Sequence, residues 1–138
     1  MTLFDKVGMI PAVSLIVPAG AEVRRLGGID SSRAEIVMAG LRIEADYGRT
    51  GGTQSCDNIP DCVDKTARLD GHAAAWVRFP AMLKEDGAFS ERLVFAIRAR
   101  PEENPAIEPP MYLMLHAQCA AITHCDLAEE IALTAIFD

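Results

Sequence analysis

Between residues 41 and 47 the chain reads LRIEADY, with an apolar side chain at every second position. In an extended backbone Leu41, Ile43, Ala45 and Tyr47 point one way, and Arg42, Glu44 and Asp46 point the other. That order predicts a strand with one buried face and one wet face, and it constrains the rest of the chain to supply strands beside it.

The same period returns elsewhere. Over 90–100, Leu93, Phe95, Ile97 and Ala99 oppose Arg92, Val94, Ala96, Arg98 and Arg100. Over 111–119, Leu113, Leu115, Ala117 and Cys119 oppose Tyr112, Met114, His116 and Gln118. Over 130–137, Ile131, Leu133, Ala135 and Phe137 oppose Ala132, Thr134 and Ile136, and strand is preferred to helix because a helix would scatter its large apolar groups around the axis. Ala12–Pro18 and Ala21–Leu26 read as strands joined by Pro18-Ala19-Gly20, and His72–Phe79 as a strand stopped by Pro80. Gly40 reads as a bulge or break before the strand at 41–47, and PAMLKED before Gly87 as a short helical turn.

About seven or eight strands without regular βαβ alternation predict an all-β fold, an antiparallel β-sandwich or barrel, with room for one short helix as an α+β variant. The chain of 138 residues fits one domain spanning 1–138. The stretches 48–71 and 101–110 read as irregular loops, the second with four prolines and three glutamates.

Charge separates the ends of the chain. The net charge is −7, yet residues 1–100 carry 13 acids and 13 bases, so the excess lies in 101–138, with seven acids and no base. Acidity of this kind disfavours nucleic acid and anionic membrane surfaces and suits a basic protein partner. The apolar lean of the composition suits a homo-oligomer. No run approaches the roughly 18 apolar residues of a membrane span. The start outlines a signal peptide, with Lys6, an apolar run and Ala19-Gly20-Ala21, but Asp5 offsets Lys6 and Pro11 interrupts the run, so it reads as part of the fold.

The four cysteines fall as Cys56-x5-Cys62 and Cys119-x5-Cys125. Three readings fit: four unconnected thiols, two disulfide loops, or a zinc site built from both pairs with His116 or His124. Zinc knuckles use shorter gaps, since both sulfurs must reach one ion. Thiols would suit the cytoplasm, and disulfides an extracellular or particle surface. His116, His124, Asp126, Glu129 and Glu130 form a second cluster, open to a metal or to His–carboxylate acid–base work if a hairpin loop holds them. Asp57, Asp61, Asp64 and Asp70 do not match a calcium loop, and no G-x-S-x-G, phosphate-loop or H-E-x-x-H pattern occurs.

Lacking a catalytic motif, the chain reads as a non-enzymatic interaction module (inhibitor or immunity factor, regulatory adaptor, particle subunit) that needs no cofactor. Its candidate binding residues are Arg49, Asp57, Asp61, Asp64, Glu129 and Glu130, and its candidate contact surfaces are the loops 48–71 and 101–110, with the acidic end as an electrostatic guide. The alternatives are a Cys/His zinc domain or metal-dependent enzyme, and a carrier of a small apolar ligand lined by Met111, Met114 and Leu115.

Overall fold

The computed structural model describes residues 1–7, 11–27, 31–48, 56–83, 89–98 and 111–138, with backbone only at 31, 80–83, 89–92 and 98. Arg49, the loop 101–110 and residues 84–87 lie outside the described residues, as do the side chains of Arg92 and Arg98. The expected antiparallel β architecture is present, as a sandwich-like arrangement rather than a closed barrel. One helix accompanies the strands.

The strand at 41–47 sits near the middle of the large sheet. It is β5 (Leu41–Gly48), flanked by β4 (Ser31–Met38) and β9 (Tyr112–Cys119). The other members are β3 (Glu22–Leu26), β6 (Val63–Leu69), β7 (His72–Leu83) and β8 (Phe89–Arg98). The order is β3-β4-β5-β9-β8-β7-β6, all neighbours antiparallel. Two meanders, β3–β5 and β6–β9, therefore meet edge to edge where β5 pairs with β9. Register follows the apolar alternation. Leu41, Ile43, Ala45 and Tyr47 lie opposite Cys119, Ala117, Leu115 and Leu113, and the last three lie opposite Leu93, Phe95 and Ile97. These side chains form one buried layer, the front face of the sheet. Slipping the register by one residue would send this whole layer into water.

A small sheet covers one part of that face. It consists of β1 (Thr2–Phe4), β2 (Val13–Ser14) and β10 (Ile136–Phe137), in the order β1-β2-β10. Phe4 stacks on Tyr47 with centroids 5.6 Å apart, Phe137 lies 6.4 Å from the same ring, and the Tyr47 hydroxyl donates to the Pro11 carbonyl at 2.9 Å. Leu3, Phe4, Val13 and Leu15 are thus core residues. The stretches 12–18 and 21–26 do not pair with each other, because β2 belongs to the small sheet while β3 pairs with β4.

The expectation of a strand over 130–137 is overturned. Residues Ile122–Leu133 form helix α1, and only Ile136–Phe137 are extended. The buried helical positions are Cys125, Ala128, Ile131 and Ala132. Apart from Ile131, small residues make that stripe and let the helix axis approach the sheet, whereas weighting the large groups Leu133 and Ile136 hides it. The N-cap is Ala121, with no side-chain cap. Among the described residues no helix is long and apolar enough to cross a membrane.

Three smaller expectations also change. The second half of the irregular stretch 48–71 is β6, joined to β7 by Asp70 (φ 50°) and Gly71 (φ 77°), the two-residue hairpin turn that Asp-Gly favours. Strand β7 does not stop at Pro80 but runs to Leu83, with a register shift between Phe79 and Met82 that accommodates a residue lacking an N–H. Residues 81–83 of PAMLKED are therefore strand. Of the two readings of Gly40, the break is the one present: it occupies the β4–β5 turn at φ 77°.

Candidate functional site

Each face of the large sheet is covered by an element tied down with a disulfide. On the front face α1 lies against β5, β8 and β9, and Cys119 on β9 is bonded to Cys125 on the helix. Both residues are buried, at 1% and 0% exposure. Closing a six-residue separation requires the chain to reverse straight after β9, and the helix begins there. The Ala120 N–H donates to the Gly40 carbonyl at 2.9 Å, and His124 lies over Gly40 so closely that a Cβ there would overlap its imidazole.

Farther along, α1 is held by charge. Arg78 on β7 donates to Asp126 at 2.6 Å, to Glu129 at 3.3 Å and to the Ile122 carbonyl at 3.3 Å. Glu129 also accepts from Lys65 of β6 and from the Trp76 indole N–H, each at 3.1 Å. Trp76 is buried and stacks on Phe95, centroids 4.6 Å apart. The Glu129 side chain is only 14% exposed, so this network works partly out of water, where leaving one partner unmatched is costly. Half of the acids expected to face a partner from the helix are thus neutralised within the fold. Glu130 is exposed.

The back face divides into two. Over β3–β5 it is polar: Glu35, the one buried charged residue among those described, is bridged by Arg24 at 3.5 Å and Arg42 at 3.2 Å, and Arg42 also meets Glu44 at 3.1 Å. His116 is exposed on this face, across from Glu44. Over β7–β9 it is apolar, with Val77, Phe79, Val94, Ala96 and Met114 buried in a second cluster. Val94 and Ala96, expected on the wet side of β8, are dry because the half-buried Cys56 and Cys62 pack over them.

Those two cysteines are bonded to each other and close the loop CDNIPDC. Inside it the Ile59 N–H donates to the Cys56 carbonyl at 2.9 Å, while Asn58 and Asp61 both sit at φ 59°, a left-handed conformation that Asn and Asp tolerate better than most residues. The outer side of the loop exposes Asp57, Ile59, Pro60 and Asp61, with Asp64 exposed on the adjoining β6.

The residues singled out from sequence therefore do not form one site. Cys119 and Cys125 belong to the front core and Cys56 and Cys62 to the back cluster, so the four sulfurs do not converge. His116 and His124 are likewise parted: His116 is on the back face and His124 on the helix beside Gly40. Among the described residues no three His, Cys, Asp or Glu side chains gather as a metal site would require. Leu115 faces the front core and Met114 the back cluster, so they do not line one cavity. What the fold does bring together is Asp57, Asp61 and Asp64 around a cystine-closed loop. Sequence reasoning missed Ile59, whose place between two acids inside a Cys-x5-Cys loop was the available signal. No protein-family model matches the chain, and neither a curated protein nor a solved structure matches it.

Proposed function

We propose that the protein is a non-enzymatic interaction module that binds a protein partner with a basic surface through the loop closed by Cys56–Cys62. The observation that supports this reading is the construction of that loop. Its inner side rests on the apolar back-face cluster through the disulfide, and its outer side presents Ile59 and Pro60 between Asp57 and Asp61. A loop already fixed in shape loses little conformational freedom when it binds, so more of its contact energy becomes affinity. An apolar centre with a charged rim also matches how binding energy is distributed in protein interfaces, with the rim acids steering a basic partner. Inhibitor, adaptor and particle-subunit roles would all use such a loop.

Three variants test it by quantitative affinity capture from the native source: Ile59→Asp, Asp57→Lys with Asp61→Lys, and Cys56→Ser with Cys62→Ser. The expected result is loss of the same captured protein from all three, with far-UV circular dichroism unchanged. A captured set identical to that of the unmodified protein in every case removes the reading. Glu130→Lys is the clean probe of the acidic end, because a Lys at 129 would face Lys65 and Arg78.

A further inference from the structure

On the side of the small sheet turned away from the large one, three of the nine large apolar residues exposed among those described come together. Ile16 is 67% exposed, Ile136 46% and Leu133 41%. Backbone pairing brings Ile16 and Ile136 side by side, and Leu133 adjoins them through its neighbour Thr134. Ile136 lies opposite Ser14, two residues before Ile16, and the Ile16 N–H donates to the Thr134 hydroxyl at 2.8 Å. Leu133 precedes Thr134 and ends the outward stripe of α1 (Ile122, Asp126, Glu130, Leu133) at helical spacing. Val13, Leu15 and Phe137 take the inward positions of the same sheet and are buried in the core. Single exposed apolar residues are ordinary; three adjoining ones on a paired backbone make a patch.

Apart from the Met1 ammonium, which donates to the Leu15 carbonyl at 3.1 Å, the charges beside the patch come from the acidic end of the chain. Four of the seven acids of residues 101–138 lie among the described residues: Asp126, Glu129, Glu130 and Asp138. Asp126 and Glu129 are engaged by Arg78 and Lys65. The other two, Glu130 and Asp138, are both exposed and both border the patch. Glu130 sits three residues before Leu133 on the helix, and Asp138 two residues after Ile136 on the strand. The acids not neutralised by the helix anchor therefore frame the apolar surface.

We propose that this surface, formed by Ile16, Leu133 and Ile136 and framed by Glu130 and Asp138, docks a polypeptide segment that carries apolar side chains flanked by Lys or Arg. Charge complementarity selects that occupant. A second copy of this chain joined about a two-fold axis would bring Glu130 and Asp138 against their own counterparts, and like charges held together oppose association. The surface is separate from the Cys56–Cys62 loop and does not depend on it.

A display library of random 15-residue peptides panned against the whole protein tests the proposal. The expected selection is peptides with two or three apolar residues bordered by Lys or Arg. Their affinity should fall by more than about tenfold on Ile136→Asp and weaken as salt is raised. Glu130→Lys with Asp138→Lys should redirect selection to peptides flanked by Asp or Glu, while Asp57→Lys with Asp61→Lys leaves binding unchanged. Peptides insensitive to Ile136→Asp and to the 130/138 reversal would overturn the proposal, as would failure to enrich any peptide. Concentration-dependent dimerisation abolished by Ile136→Asp in sedimentation would assign the surface to a second copy and overturn it equally. Sensitivity confined to the 57/61 reversal would overturn this surface while supporting the loop.

Discussion

The two covers of the large sheet use the same cysteine spacing and differ in almost everything else. On the front, Cys119–Cys125 is buried, its helix contributes Ala128, Ile131 and Ala132 to the core, and a charge network fixes the far end. On the back, Cys56–Cys62 is half-buried, its loop rests on five buried residues, and its outer side faces water. Identical loop lengths constrain the unfolded chain equally, so the contrast must arise from what each sulfur pair packs against. The front cover holds the domain together. The back cover presents a shape.

That contrast can be broken by removing each bond in turn. Cys119→Ala with Cys125→Ala is expected to lower the unfolding free energy by about 4 kcal/mol, combining loop entropy with the cavity left in the core. Cys56→Ala with Cys62→Ala should cost roughly 2 kcal/mol, close to the entropy alone. Urea titration of both variants decides it, and equal costs would erase the distinction. The helix anchor comes next. Arg78→Met leaves Glu129 with Lys65 as its remaining cation and should cost about 2 kcal/mol, much of it regained when Glu129→Gln is added. A double variant no better than Arg78→Met alone would mean the arginine acts through packing instead. The smallest effect sharpens the front contact locally. Gly40→Ala combines a left-handed backbone with overlap of His124 and should cost about 1–2 kcal/mol. Adding His124→Ala should recover the overlap but not the backbone part, as thermal unfolding of the pair would show.

Legibility from sequence varied with how each residue earns its place. The strand at 41–47 was plain because it has one dry and one wet side, so alternation survives in composition; over 111–119 that holds only from Leu115 to Cys119, since Met114 is buried on the back face. The second meander was harder. Strand β6 is an edge strand with mostly exposed residues, and its lack of apolar period made it look like loop, although Asp70-Gly71 announced the hairpin. The helix was misread because three of its four buried residues are the small Cys125, Ala128 and Ala132, beside one large Ile131, while Leu133 and the following Ile136 face outward. Of the candidate site, the acids Asp57, Asp61 and Asp64 were visible as residues. That Glu129 serves the fold was not, since Lys65, Trp76 and Arg78 lie more than fifty residues away.

By itself, the order of residues determined that strands would form, which side of each would be dry, and where the acidic excess would lie, because all three depend on neighbours along the chain. Which acids are spent on internal partners, which cysteine pair enters the core, and which apolar groups remain in water were decided only when distant segments packed. Burial and ion pairing are properties of the assembled surfaces, and Cys56-x5-Cys62 and Cys119-x5-Cys125 are indistinguishable until one is covered by a helix and the other by solvent.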